Sequence, residues 1–318
     1  MSLTPAEITA SPDHYLHSFE GTDAVIVPMD REAYARSIFL DARISPASEG
    51  AMLIPVARLA EAAPPPRTAA WIFHVAHCGS TLLARAVEAM SSGLVLREPM
   101  ALRQLALAPD PARLQLVLAM LGRRYGGEEP TLIKANVPVN ALLPAIVAAD
   151  PSAPAVFLYL GLEDYALAVL RSPQHRGWVR DIAGRFAGAS PDASDAACLA
   201  ALWLWQMRAF AAALAMMPNA RTLDAERFYA EPGATLAALA PQLGREANPL
   251  RIAEVTAGPL FSTYSKRPGQ AFDNAARLER RAALLRELGA ELAEVRLQAQ
   301  RRVPDLAALE AQIAAATL

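Results

Sequence analysis

Cysteine is nearly absent. Cys78 and Cys198 are the only two in 318 residues, too few for a disulfide framework or a zinc site. Charge is also sparse: 19% of residues are charged and the formal net charge is −2. That balance gives no general attraction to nucleic acid or an anionic membrane, so any anion site must be local. The opening MSLTPAEITASPDHY has neither a basic start nor an apolar stretch, and predicts no secretion signal. No uncharged run reaches the roughly 18 apolar residues of a membrane span. The nearest, Ala197 to Met217, is broken by Gln206 and Arg208. No internal repeat is visible. Together these absences predict a cytoplasmic protein with no membrane span and no nucleic-acid partner. What is plentiful is apolar material, 53% of the chain, ample for a globular core.

The first 65 residues read as an N-terminal extension. AVIVPM (Ala24 to Met29) and AMLIPV (Ala51 to Val56) predict short strands flanking a helix around Arg31 to Phe39. A stiff Ala62-Ala63-Pro64-Pro65-Pro66 link follows. Beyond it, β-rich runs at Ala70–Val75, Leu94–Leu96, Thr131–Lys134, Ala155–Leu160 and Arg221–Leu223 alternate with Ala/Leu-rich helical stretches. That alternation predicts βαβ units and a parallel sheet of about five strands. Such a sheet binds ligands at the carboxyl ends of its strands. Residues 66–318 are thus expected to form one α/β domain, closed by helices from about Asn274 to Arg301 and from Pro304 to Ala316.

The most informative segment is WIFHVAHCGSTLL, Trp71 to Leu83. A hydrophobic run meets a Gly79-Ser80-Thr81 turn, and an amphipathic helix follows. A strand, tight turn and helix start in that order form a nest of backbone N–H groups at a positive helix end, which attracts phosphate or sulfate. A nucleotide-hydrolysing P-loop needs lysine directly after its last glycine. Here Gly79 is followed by Ser80, and no lysine lies between Pro66 and Pro130, which disfavours a phosphotransferase.

The GST core resembles the 5′-phosphosulfate loop of the sulfotransferase family, with His77 in the place of the usual basic residue. Further segments carry the resemblance in the same order. Arg97-Glu98-Pro99 is similar to an E-P step, and TLIKANVPVNALLPAI places Lys134 at a strand end. FLYLGLEDYALAVLRSP looks like the segment reading RDPRD-V-x-x-S. ARTLDAERFYAEPGATLAALAPQLG puts Glu226 at an acidic position, and YSKRPGQAF corresponds to a closing basic loop. The resemblance spans roughly residues 70 to 275. It implies a P-loop-type three-layer α/β sandwich with 3′-phosphoadenosine 5′-phosphosulfate as co-substrate and no metal. The acceptor it implies is a hydroxyl or amine of a small molecule, lipid or sugar.

By that resemblance the catalytic candidates are Glu98 as general base, Lys134 on the leaving phosphate and His77 on the sulfate. The donor-binding candidates are Cys78, Gly79, Ser80, Thr81 and Leu82 around the loop, with Lys266 and Arg267 reaching over the nucleotide. One departure stands out. Leu160 and Ala168 occupy the positions of the arginine and serine that grip the 3′-phosphate, and neither side chain hydrogen-bonds. Arg171 and Ser172, one helical turn later, are expected to substitute. A competing reading is a catalytically silent anion-binding module. More ordinary roles also fit individual residues: helix capping for Ser80, Thr81 and Glu98, with Arg97 as the partner of Glu98. Cys78 reads as a small loop residue, and His74, Trp203 and Trp205 as structural. Arg176 and Arg180 carry no clear assignment.

Overall fold

The computed structural model describes residues 3–41, 50–126, 129–264 and 267–318. Strands β1 (His14–Glu20), β2 (Asp23–Pro28) and β3 (Met52–Pro55) make an antiparallel sheet in that order. The core sheet contains β4 (Ala70–His74), β5 (Val95–Arg97), β6 (Leu132–Lys134), β7 (Ala155–Tyr159) and β8 (Ala220–Asp224). It is parallel throughout, in the order β5-β6-β4-β7-β8. The expected five-stranded α/β sandwich is therefore what the chain forms. A two-strand hairpin, β9 (Thr263–Tyr264) and β10 (Arg267–Ala271), follows the short helix Pro259–Ser262 and precedes the last three helices.

The sheet is parallel because both of its faces are covered. Every residue of β4 is buried, so its near-continuous apolar run has no solvent-facing side to alternate with. On one face Trp71 stacks on Phe73 (5.3 Å between centroids), Phe73 on Phe157 (5.6 Å), and Phe157 meets Phe210 (4.8 Å). Phe210 belongs to the long helix Asp195–Met216, whose start is capped by Ser194. This helix is long and apolar enough to cross a membrane, but 72% of its most apolar window is buried in the fold. Trp203 donates from its indole N–H to the Leu160 carbonyl (2.9 Å), and Trp205 packs against Phe186.

β1 escapes the sequence pattern because its burial does not alternate, and a bulge between Leu16 and Ser18 resets its register. Two buried arginines hold this first segment down. Arg97 donates to the carbonyls of Tyr34, Ala35, Ser37 and Ile38 and pairs with Glu88 at 2.6 Å. Arg123 donates to those of Ile8, Ser11 and His14, and burial pulls its guanidinium down to about 10. Leu40 also bonds to the β5 backbone, its N–H donating to the Arg97 carbonyl (2.7 Å). At the other edge Thr222 of β8 bridges Thr317 and exchanges backbone bonds with Ala316 and Leu318.

β4 is the central strand. The chain leaves it to build β5 and β6 on one side, then β7 and β8 on the other. Its carboxyl end is therefore the point where strand order reverses, where open α/β sheets leave a crevice.

Candidate functional site

β4 ends at His74 and the helix Ser80–Met90 begins five residues beyond Val75. Gly79 makes the turn with φ +79°, a left-handed conformation that glycine adopts freely. A Cβ at this position would overlap the Tyr229 hydroxyl. The helix has no side-chain cap, and its first amides, at Ser80, Thr81 and Leu82, have no intrahelical partner by construction. An anion is the complement of such an end. Burial holds the Tyr229 phenol well above its ordinary range, so it stays neutral beside the loop.

Two cavities flank this loop. One, of about 540 Å³, is walled by His74, Gly79, Ser80, Thr81, Glu98, Asn136, His175 and Trp178, with Asp41 and Arg103. The other, of about 370 Å³, is walled by Leu82, Leu160, Ala168, Arg171, Glu226, Tyr229, Phe272, Arg277, Arg280 and Arg281. Among the described residues His77 lines both. Its ring stacks on His175 (3.8 Å between centroids, 27° between planes) and meets Trp178 edge-on (5.5 Å).

Among the described residues, His77 (φ +61°) and Glu98 (φ +58°) are the non-glycine residues with positive φ. Held left-handed backbone costs roughly 1–3 kcal/mol and gathers at functional sites. The strain thus falls on two residues that the sequence singles out for chemistry.

Of the expected site residues, the structure brings His77, Gly79, Ser80, Thr81 and Glu98 to the larger cavity, and His77, Leu82 and Arg171 to the smaller one. Three others line neither. Cys78 is fully buried because the turn points its thiol back at the Val75 carbonyl (2.7 Å). Lys134 is 1% exposed and its ammonium is spent on Glu98. Ser172 caps the helix Pro173–Phe186, its hydroxyl accepting from the His175 amide. Arg267 lies in β10, whereas Lys266 is outside the described residues. Glu98 does not cap the helix Met100–Leu107, which starts at Pro99 with no side-chain cap. Nor is it paired with Arg97, whose carboxylate partner is Glu88. Arg176 and Arg180 hold Asp195, and Arg176 also holds Glu291.

The sequence reading missed the cations of the smaller cavity. Arg277, Arg280 and Arg281 come from the helix Asn274–Glu287, beyond the expected basic loop. Arg277 makes a fork to Glu226 (2.7 and 3.0 Å) and covers the Tyr229 ring at 4.4 Å. Arg281 reaches Asp164 (2.5 Å). Their spacing in Arg277-Leu278-Glu279-Arg280-Arg281 was the available signal, since residues three and four apart share a helix face. No group of three or more histidine, cysteine or acidic side chains suited to a metal occurs among the described residues.

No protein-family model matches the chain, and no curated protein does. Solved structures similar to it include two sulfotransferases. A sulfotransferase domain from the curacin biosynthetic pathway is 11% identical with a TM-score of 0.42, over 66% of this chain and 84% of that one. A sulfotransferase from Alicyclobacillus acidocaldarius is 13% identical with a TM-score of 0.42, over 77% of this chain and 99% of that one.

Proposed function

We propose that the protein moves a sulfuryl group from 3′-phosphoadenosine 5′-phosphosulfate to a hydroxyl or amine on a second ligand, a small molecule, lipid or sugar. The observation that carries this reading is the position of His77, on the wall of both cavities beside an uncapped helix start. Ligands in the two cavities would therefore both touch this residue. In-line transfer to an incoming nucleophile requires this placement, and most of its catalysis is positioning and charge stabilisation. In this reading the amides of Gly79 to Leu82 and the His77 ring hold the transferring group. Arg171 and Arg280 take the 3′-phosphate that Leu160 and Ala168 have no side-chain atoms to bind. The carboxylate of Glu98 faces the acceptor.

The apolar walls at Leu160 and Ala168 favour a second reading, a binding module without turnover. Calorimetric titration with adenosine 3′,5′-bisphosphate, adenosine 5′-monophosphate, ATP and sulfate separates the two. Transfer predicts at least about tenfold preference for the 3′-phosphorylated nucleotide, the size of one charge-assisted contact. Equal weak binding of all four selects the module.

A further inference from the structure

A second imidazole stands at the larger cavity. His74, the last residue of β4, is 5% exposed and shares the cavity wall with Thr81, Glu98 and Asn136. Its Nδ1 lies 2.7 Å from the Val75 carbonyl oxygen. A carbonyl oxygen only accepts, so Nδ1 carries a proton, and in the neutral ring Nε2 carries the lone pair. Backbone geometry therefore sets the tautomer before any ligand arrives. The Asn140 amide, donating to the His74 carbonyl at 3.3 Å, fixes the peptide that follows. Two polar atoms of neighbouring residues on this wall, Thr81 Oγ1 and Asn136 Oδ1, are buried and have no hydrogen-bond partner among the described residues. Buried polar atoms left without a partner are costly; an incoming oxygen accepts from the Thr81 hydroxyl, and a second hydrogen on the nucleophile, as in water or an amine, reaches Asn136 Oδ1. Glu98, the expected base, is committed through one oxygen to the Lys134 ammonium.

We propose that His74 Nε2, rather than Glu98, receives the proton of the incoming nucleophile, with the Thr81 hydroxyl donating to that nucleophile's oxygen and, where the nucleophile is water or an amine, Asn136 Oδ1 accepting its second hydrogen. This rests on the transfer reading above. The nucleophile's O–H bond breaks and its hydrogen passes to Nε2. The freed oxygen pair forms the new O–S bond, while the bridging S–O bond to the donor's 5′-phosphate breaks and the nucleotide keeps that pair. His74 becomes an imidazolium whose Nδ1–H still donates to Val75. Asp41 and Glu98, facing the same cavity, favour this cation. Arg103 and Lys134 oppose it, as do His77 and His175 when protonated.

Two measurements test the proposal. In wild-type protein with 15N-labelled histidine, long-range 1H–15N spectra should show His74 protonated at Nδ1 and bare at Nε2 near neutral pH. The opposite tautomer overturns the inference. The second measurement is release of sulfate from the donor with water as acceptor, which needs no knowledge of the natural acceptor. His74→Asn keeps an amide donor for Val75 and removes Nε2. It should lower release by about 10²–10⁴-fold with unchanged affinity for adenosine 3′,5′-bisphosphate. Added imidazole should partly restore His74→Ala, which a merely structural role would not allow. Wild-type release by His74→Asn, or a larger loss in Glu98→Gln, overturns the inference alone. Absence of bisphosphate binding by wild-type protein defeats the transfer reading itself.

Discussion

Tyr229 and Gly79 are locked together: the tyrosine hydroxyl fills the space where a side chain at residue 79 would begin. Gly79→Ala therefore suffers twice, from the overlap and from a φ of +79°. It should lose about 1–3 kcal/mol of stability and most anion affinity. Tyr229→Leu should recover only the overlap share, leaving the backbone share in place. Urea denaturation of the two single variants and the double variant reads that coupling.

At His77 the usual order of substitutions should invert. Alanine inherits the left-handed strain at φ +61°, whereas glycine escapes it. Both lose the stack on His175. The glycine variant should therefore be more stable than the alanine variant by about 1 kcal/mol. Thermal unfolding of the pair checks this.

Lys134→Met strips the counter-charge from Glu98, whose side chain is 14% exposed. Breaking a buried ion pair from one side typically costs about 3–5 kcal/mol. The cavity beside Glu98 lets water in, which places the cost at the lower end. Adding Glu98→Gln should recover part of it, as denaturation midpoints will show.

Acid should weaken the fold through Asp195. Burial acts to raise this carboxyl, but the hydrogen bonds and charges of Arg180 and Arg176 outweigh burial and hold it below its usual value. A depressed carboxylate contributes stability above its unfolded pKa, and that contribution disappears as pH falls through the folded value. The window opens below about pH 4. Asp195→Asn should be less stable at neutral pH and show a shallower loss on acidification, measured by denaturant midpoints across that range.

Arg280→Ala should weaken adenosine 3′,5′-bisphosphate binding by roughly ten- to a hundredfold, the worth of a charge-assisted hydrogen bond. Adenosine 5′-monophosphate should bind nearly as before. Calorimetry with both nucleotides reads the difference.

Much of the sheet was legible because its strands are short apolar runs punctuated by helical periodicity; β4 through β8 all fall within a residue or two of expectation. β1 was not legible, since His14 and His17 interrupt its apolar residues and tertiary burial decides its state. The loop could be read from Gly79-Ser80-Thr81 alone, because a tight turn into a helix is a local property. The pairing of Lys134 with Glu98 joins residues 36 positions apart, and no local pattern encodes it. The same holds for the arginines of the smaller cavity, which arrive there through the path of a later helix. Ser172 misled because a serine before proline is equally suited to a phosphate and to a helix cap.

The backbone bonds at β5 and β8 have a consequence for solution behaviour. An uncovered strand margin is a template for joining another chain. Residues 34–40 shield one margin through Arg97 and Leu40, and residues 316–318 shield the other through Thr222. Shearing off the first 65 residues would strand the Arg97 guanidinium without its carbonyl acceptors and bare β5, so the shortened chain should self-associate more readily than the whole one.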